Sequence, residues 1–160
     1  MNRVEGSAGR PGPGKTYMTA NVFFDTNVLV YAAVGSGRDE WKRAKALSLL
    51  ESENFGTSAQ VLQEFFVTVV RKASRPLSAL EALEWIEQWT VFPCQPIDHR
   101  LVEIAIEQSE RYRISYWDAA ILAAAEALGS NTVYSEHLND GQQYGRVRVI
   151  NPFRERTLTS

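Results

Sequence analysis

Along this chain, short apolar runs alternate with segments whose apolar positions recur every three or four residues. The first run, Val22-Phe23-Phe24, predicts a strand from about Asn21 that Asp25 breaks, and a second apolar stretch follows from Val28 to Val34. Asp39 is placed to cap a helix through Glu51 with Trp41, Ala44, Leu47 and Leu50 along one side. Phe55 to Thr57 reads as a short strand. Ser58 then caps a helix carrying Val61, Leu62, Phe65, Phe66 and Val69, where the helical period outweighs the β-branched pull of Val67 to Val70. Ser78 opens a helix with Leu80, Leu83 and Ile86, and Val91-Phe92 predicts a brief strand before Pro93. Asp98 opens a helix with Leu101, Val102, Ala105 and Ile106 inward, and Ser115 caps another that Gly129 stops. Thr132 to Tyr134 and Val147 to Ile150 are the closing strands, the latter ended by Pro152. Strands separated by helices imply βαβ units and a parallel sheet covered on both faces, the α/β class.

The 160 residues, 44% of them hydrophobic, suffice for one domain with one core. That domain is expected over residues 18–155, after a disordered leader at 1–17 and before a short tail at 156–160. The leader holds Gly9-Arg10-Pro11-Gly12-Pro13-Gly14-Lys15-Thr16, which matches the phosphate-loop pattern in letters only. No strand precedes it and no helix follows, so no nucleotide cofactor is expected. Cys94 is the single cysteine, which excludes an internal disulfide and a cysteine metal cage and points to a reducing cytoplasm. The apolar runs are too short to span a bilayer. A net charge of −2 argues against nucleic-acid binding by bulk charge and leaves local basic segments as the means.

Asp25 ends an apolar strand, where a carboxylate is costly unless it meets a partner such as a metal ion. Further acids stand at comparable places: Glu64 at the margin of an apolar stripe, Asp118 in the first turn of an almost wholly apolar helix that predicts its burial, and Glu136 and Asp140 after the strand ending at Tyr134. Each has a plain structural reading as a helix-end charge or a solvated boundary residue. Together they suggest a metal-dependent hydrolase, since hard divalent cations take oxygen ligands. The two histidines, His99 and His137, lack the pairing a histidine-driven ribonuclease would need, and His99 reads as a surface residue.

Asp25-Thr26-Asn27, Glu64 after Ser58-Ala59-Gln60, Ser115-Tyr116-Trp117-Asp118-Ala119 and the closing Asn151-Pro152-Phe153 resemble PIN domains, and among them VapC-type toxin ribonucleases. The resemblance, over about Asn21 to Phe153, implies a three-layer α/β/α fold with a parallel sheet of about five strands. It also implies Mg²⁺- or Mn²⁺-dependent cleavage of RNA, a cognate antitoxin and a homodimer. Carried over by position, Asp25, Glu64 and Asp118 match the first three family acids. At the fourth this chain reads Ser135-Glu136-His137, leaving Glu136, His137 or Asp140 as the ligand. The Asn139-Asp140-Gly141 turn favours Asp140, and a histidine ligand would favour Mn²⁺.

Thr26, Asn27 and Ser115 are candidates to orient the acids. Arg38, Lys42 and Arg43, with Lys45, and Arg71 and Lys72, with Arg75, are candidate RNA contacts, as are Arg111 and Arg113. Two other functions compete. A dehalogenase-type phosphatase would need an aspartate where Asn27 stands, and a catalytically silent PIN-like module would bind RNA or protein without cutting.

Overall fold

The computed structural model describes residues 19–154. The expected leader with its phosphate-loop match, and the tail at 156–160, lie outside the described residues. In chain order the elements are β1 (Val22–Phe24), α1 (Thr26–Val34), α2 (Glu40–Ser52), β2 (Phe55–Ser58), α3 (Ala59–Val67), α4 (Ala79–Trp89), β3 (Cys94–Gln95), α5 (His99–Tyr112), α6 (Tyr116–Ala127), β4 (Thr132–Tyr134), β5 (Gln143–Tyr144) and β6 (Val147–Ile150). The sheet order is β3-β2-β1-β4-β6-β5, in which β5 alone runs antiparallel, against β6. The fold is thus the expected α/β architecture with five parallel strands. The sixth strand is a hairpin partner turned at Gly145, whose φ of 57° suits a residue without Cβ. A two-residue strand carries no readable alternation, which is why the sequence did not announce it.

Every residue of β1 and β2 is buried, so the centre of the sheet is covered on both faces. β6 alternates buried and exposed, so only one face is covered at that side. On one face a row of rings runs across three strands. Phe24 stacks on Phe55 at 4.6 Å and on Tyr134 at 5.7 Å, and Phe55 stacks on Phe92 at 4.2 Å. α6 is buried without a break from Ala119 to Ala125, packing on α5 and on the sheet. Gly56 permits that approach, because a Cβ there would lie 2.6 Å from Leu128 Cδ1.

Four expected caps form: Ser58, Ser78, Asp98 and Ser115 accept from the N–H of Val61, Glu81, Leu101 and Asp118. The fifth does not. Asp39 closes a 3₁₀ turn, Gly37–Asp39, makes no capping bond, and α2 starts at Glu40. α2 buries Ala46 and Leu49; of the side expected to be apolar, Leu47 and Leu50 are half-buried against the core while Trp41 and Ala44 are exposed. The Val91-Phe92 strand is displaced. Those residues turn so that Phe92 can cover Phe55, and pairing begins at the Pro93 carbonyl, which accepts from Thr57 N at 2.9 Å. Leu80, Leu83 and Ile106 lie exposed on α4 and α5, where Ala82, Trp89, Leu101 and Ala105 fill the core. The β-branched stretch after α3 is neither strand nor α-helix but a π-helical turn, Thr68–Lys72.

Phe55, buried between two other rings, should be the costliest single truncation: Phe55→Ala is expected to lose about 3–5 kcal/mol in urea unfolding, and a loss below about 1 kcal/mol would contradict this packing.

Candidate active site

β1 hands its chain directly to α1, and Asp25 is the cap between them. Its carboxylate accepts from Thr26 N at 2.7 Å and from Ser135 Oγ at 2.7 Å. Ser135 directly follows β4, whose parallel pairing with β1 brings the two strand ends together. Ser135 Oγ in turn accepts from His137 N and Leu138 N, both at 3.1 Å, which fixes the loop after β4. Asp25 is 6% exposed and its oxygens meet only neutral donors, Asn27 Nδ2 at 3.5 Å being the third. Burial pushes its carboxyl pKa up; the Ser135 and Thr26 bonds oppose this, nearby Glu64 adds to it, and His137 opposes it.

Glu64 enters from α3. One oxygen accepts from Thr26 Oγ1 at 2.7 Å and the other from Gln60 Nε2 at 2.9 Å. Gln60 also donates to the Trp117 carbonyl at 3.3 Å and so ties α3 to the head of α6. In sequence Gln60 stands out only within the Ser58-Ala59-Gln60 motif and not as a partner of Glu64, although its place one turn before Glu64 puts both on one helix face. Asp118 sits in the first turn of α6, where its N–H is capped by Ser115, and its side chain is 23% exposed rather than buried. The apolar character of α6 begins one residue later, at Ala119, while Trp117 is turned out. Asp118 Oδ1 lies 3.2 Å from His137 Nε2.

Asp25, Glu64 and Asp118 line one cleft of about 440 Å³ together with Thr26, Gln60 and His137. Among the described residues, no three His, Cys, Asp or Glu side chains stand close enough to hold one ion together. Each acid is instead held to its own protein partners around the cleft. The donor set still suits a hard divalent cation: three carboxylates face one space, no lysine or arginine among the described residues lines it, and the buried Asp25 has no countercharge in contact among them.

The other expected residues divide. Thr26 bonds Asp25 and Glu64, while Asn27 reaches Asp25 and the loop after β4, where its Oδ1 accepts from Glu136 N at 3.1 Å. Ser115 acts as the cap alone. Glu136 is turned to Lys42 Nζ at 3.0 Å and Tyr31 Oη at 2.9 Å, away from the acids. Lys42, an expected RNA contact, is thus ion-paired with Glu136. For Lys42 burial lowers the ammonium pKa, but its bonds to Tyr31 and Glu136 outweigh this and raise it. Asp140 does not bend back toward Asp25. It accepts from Asn151 N at 2.8 Å and from Arg154 at 2.8 Å, contacts that hold its carboxyl pKa below the usual range. His137 is therefore the member of this segment that lines the cleft. Arg38 and Arg43 are exposed near the start of α2, and Arg71 is exposed in the π turn. Lys72, in the same turn, lines a side cleft with Thr26 and Glu64.

The PIN domain family matches residues 22–137, more than half of the chain. The chain belongs to the PIN domain family. No curated protein sequence matches this PIN domain. Among solved structures it is similar to Mycobacterium tuberculosis VapC20, described as a Sarcin-Ricin loop cleaving toxin, at 22% identity and a TM-score of 0.58, covering 79% of this chain and 98% of that one. A toxin-antitoxin complex from Klebsiella pneumoniae shares 18% identity at a TM-score of 0.62, covering 84% and 99%. VapBC2 from Rickettsia felis, bound to a promoter DNA fragment, shares 13% at 0.54, covering 80% and 96%. At these identities the likeness is one of fold.

The raised pKa of Asp25 has a signed consequence for this PIN domain. Folding favours the protonated form, so the stabilising contribution is full below the unfolded pKa and is lost as pH rises through the raised folded value. Measured in chelator, the melting temperature of Asp25→Asn relative to the parent should therefore be more favourable at pH 7.5 than at pH 4.5. A difference that is flat in pH, or that runs the other way, would contradict the uncompensated charge.

Proposed function

We propose that this PIN domain is a divalent-metal-dependent endoribonuclease and the toxin of a toxin-antitoxin pair. The observation that carries the reading is the convergence of Asp25 at the end of β1, Glu64 of α3 and Asp118 of α6 on one cleft that no lysine or arginine among the described residues lines. A Mg²⁺ or Mn²⁺ ion supplies charge neutralisation for phosphate oxygens and acidifies water. Asp25, Glu64 and Asp118, which stand too far apart here to hold one ion together, would have to close on it across the cleft they share. Ser135 keeps Asp25 in place, and Thr26 and Gln60 do the same for Glu64, so the acids are positioned before substrate arrives. Asp118 meets His137 Nε2 through Oδ1 at 3.2 Å, and both residues line the cleft. The substrate class and the antitoxin partner follow the similar structures, which include a loop-cleaving toxin and toxin-antitoxin complexes. A homodimer accords with the family resemblance. No helix among the described residues is long and apolar enough to cross a membrane.

The rival readings have less support. Asn27 is engaged with the loop after β4 through Glu136 N, and nothing in its surroundings resembles a second phosphatase acid. A silent binding module would not require three carboxylates facing one space.

Cleavage of a labelled RNA with Mg²⁺ or Mn²⁺ tests the proposal. Asp25→Asn, Glu64→Gln and Asp118→Asn should each abolish it, whereas Gln60→Ala should reduce it by about 10–100-fold through misplacement of Glu64. Full activity in Asp118→Asn would remove the assignment.

A further inference from the structure

At the β6 side of the sheet one face is left uncovered, and the space above it is larger than the acidic cleft. Arg148 and Ile150 are the exposed residues of β6, and their partners on β4 are Thr132 and Tyr134. Because partnered residues in a parallel sheet share a face, these four side chains form one strip. α2 walls the strip on one side with Lys45 and Leu49, and the segment Asn151 to Arg154 closes its end. The groove so formed has a volume of about 1000 Å³.

Its composition is specific. Tyr134, Ile150 and Pro152 give an apolar floor, and Lys45, Arg148 and Arg154 place three cations on three separate chain segments around it. Among the described residues that line it, Asp140 is the one carboxylate, and it is bonded to Asn151 N and Arg154. Glu53 stands nearby, bonded to Tyr134 Oη at 3.3 Å. Positive charge prevails among the lining residues, in a chain whose net charge is −2. An apolar floor with a cationic rim is the arrangement that binds single-stranded nucleic acid, whose bases lie on the floor while its phosphates meet the rim.

The groove shares no lining residue with the acidic cleft but adjoins it along the chain. Tyr134 forms its floor, and the next residue, Ser135, holds Asp25. On α2, Lys42 beside Glu136 and Lys45 at the groove lie three positions apart and so share a helix face. We propose that this groove holds a single-stranded stretch of RNA flanking the phosphodiester at the acidic cleft, with Lys45, Arg148 and Arg154 contacting its phosphates. The assignment rests on the nuclease reading for which RNA segment is held, but the binding itself needs neither metal nor cleavage. An acidic peptide could satisfy the cations, yet it would leave the apolar floor unused.

The test is fluorescence anisotropy of the full chain with a labelled 16-nucleotide single-stranded RNA in chelator, over a range of salt. Combined Lys45→Gln, Arg148→Gln and Arg154→Gln should weaken binding at least 10-fold and lower the slope of log K against log salt by about 2, near 0.7 for each phosphate no longer neutralised. Lys45→Gln alone, on the exposed face of α2, should lower it by about 0.7, so the claim stays testable if the triple variant fails to fold. An unchanged affinity and slope in the folded variant would overturn the proposal. So would a glutamate-rich peptide of equal charge that binds the parent as tightly as RNA and is lost in the same variants. Loss of RNA binding in the variants of a parent that cuts no RNA would leave the groove assigned and remove the catalytic reading instead.

Discussion

The hydrogen bond from Ser135 to Asp25 is the contact on which the rest of the site depends. It joins the ends of two neighbouring parallel strands at 2.7 Å and does so around a carboxylate that is almost fully buried. From it the arrangement spreads outward. Asp25 caps α1 through Thr26, Thr26 reaches Glu64 on α3, and Gln60 carries the connection to the head of α6 beside Asp118. An ionised group in that position is tolerated at a cost, because neutral donors offset desolvation only in part. A buried carboxyl without a countercharge in contact is the usual mark of a site whose partner comes from solution.

The sheet's unequal cover explains why it carries two different surfaces. Over β1 both faces are packed, so a functional side chain can leave only at the strand tip, and the acidic cleft lies there. Over β6 one face is open, and the exposed half of its alternation carries Arg148 and Ile150 into a groove. Negative and positive surfaces are thereby held side by side by strands that are hydrogen-bonded to one another. That juxtaposition suits a polyanionic substrate whose reacting phosphate needs a metal and whose flanking phosphates need cations.

Much of this was legible in the sequence where the cause is local. The caps Ser58, Ser78, Asp98 and Ser115 each sit three residues before the N–H they accept, so residue type and helical period together revealed them. Asp39 failed as a cap because Gly37, at a φ of 58°, admits a 3₁₀ turn ahead of α2. The three acids were legible because each interrupts an apolar element. The partners that orient them were not. Whether Asp140 points to the cleft is decided by Arg154 and by the Asn151 amide, and whether Glu136 does is decided by Lys42, which lies 94 residues earlier. Long-range choices of that kind leave no trace in local spacing. The open face of β6 was hidden for the same reason, since its cover depends on where α2 crosses the sheet.

The most direct test of the central claim, that Asp25, Glu64 and Asp118 share a divalent cation, is the melting temperature of the full chain titrated with Mn²⁺. Selective binding to the folded state raises stability in proportion to the logarithm of ligand concentration above its Kd. The account predicts a melting temperature that climbs with Mn²⁺ in the parent and loses that dependence in Asp25→Asn. A parent whose melting temperature ignores Mn²⁺ at millimolar concentration would make these three carboxylates structural residues and contradict the account.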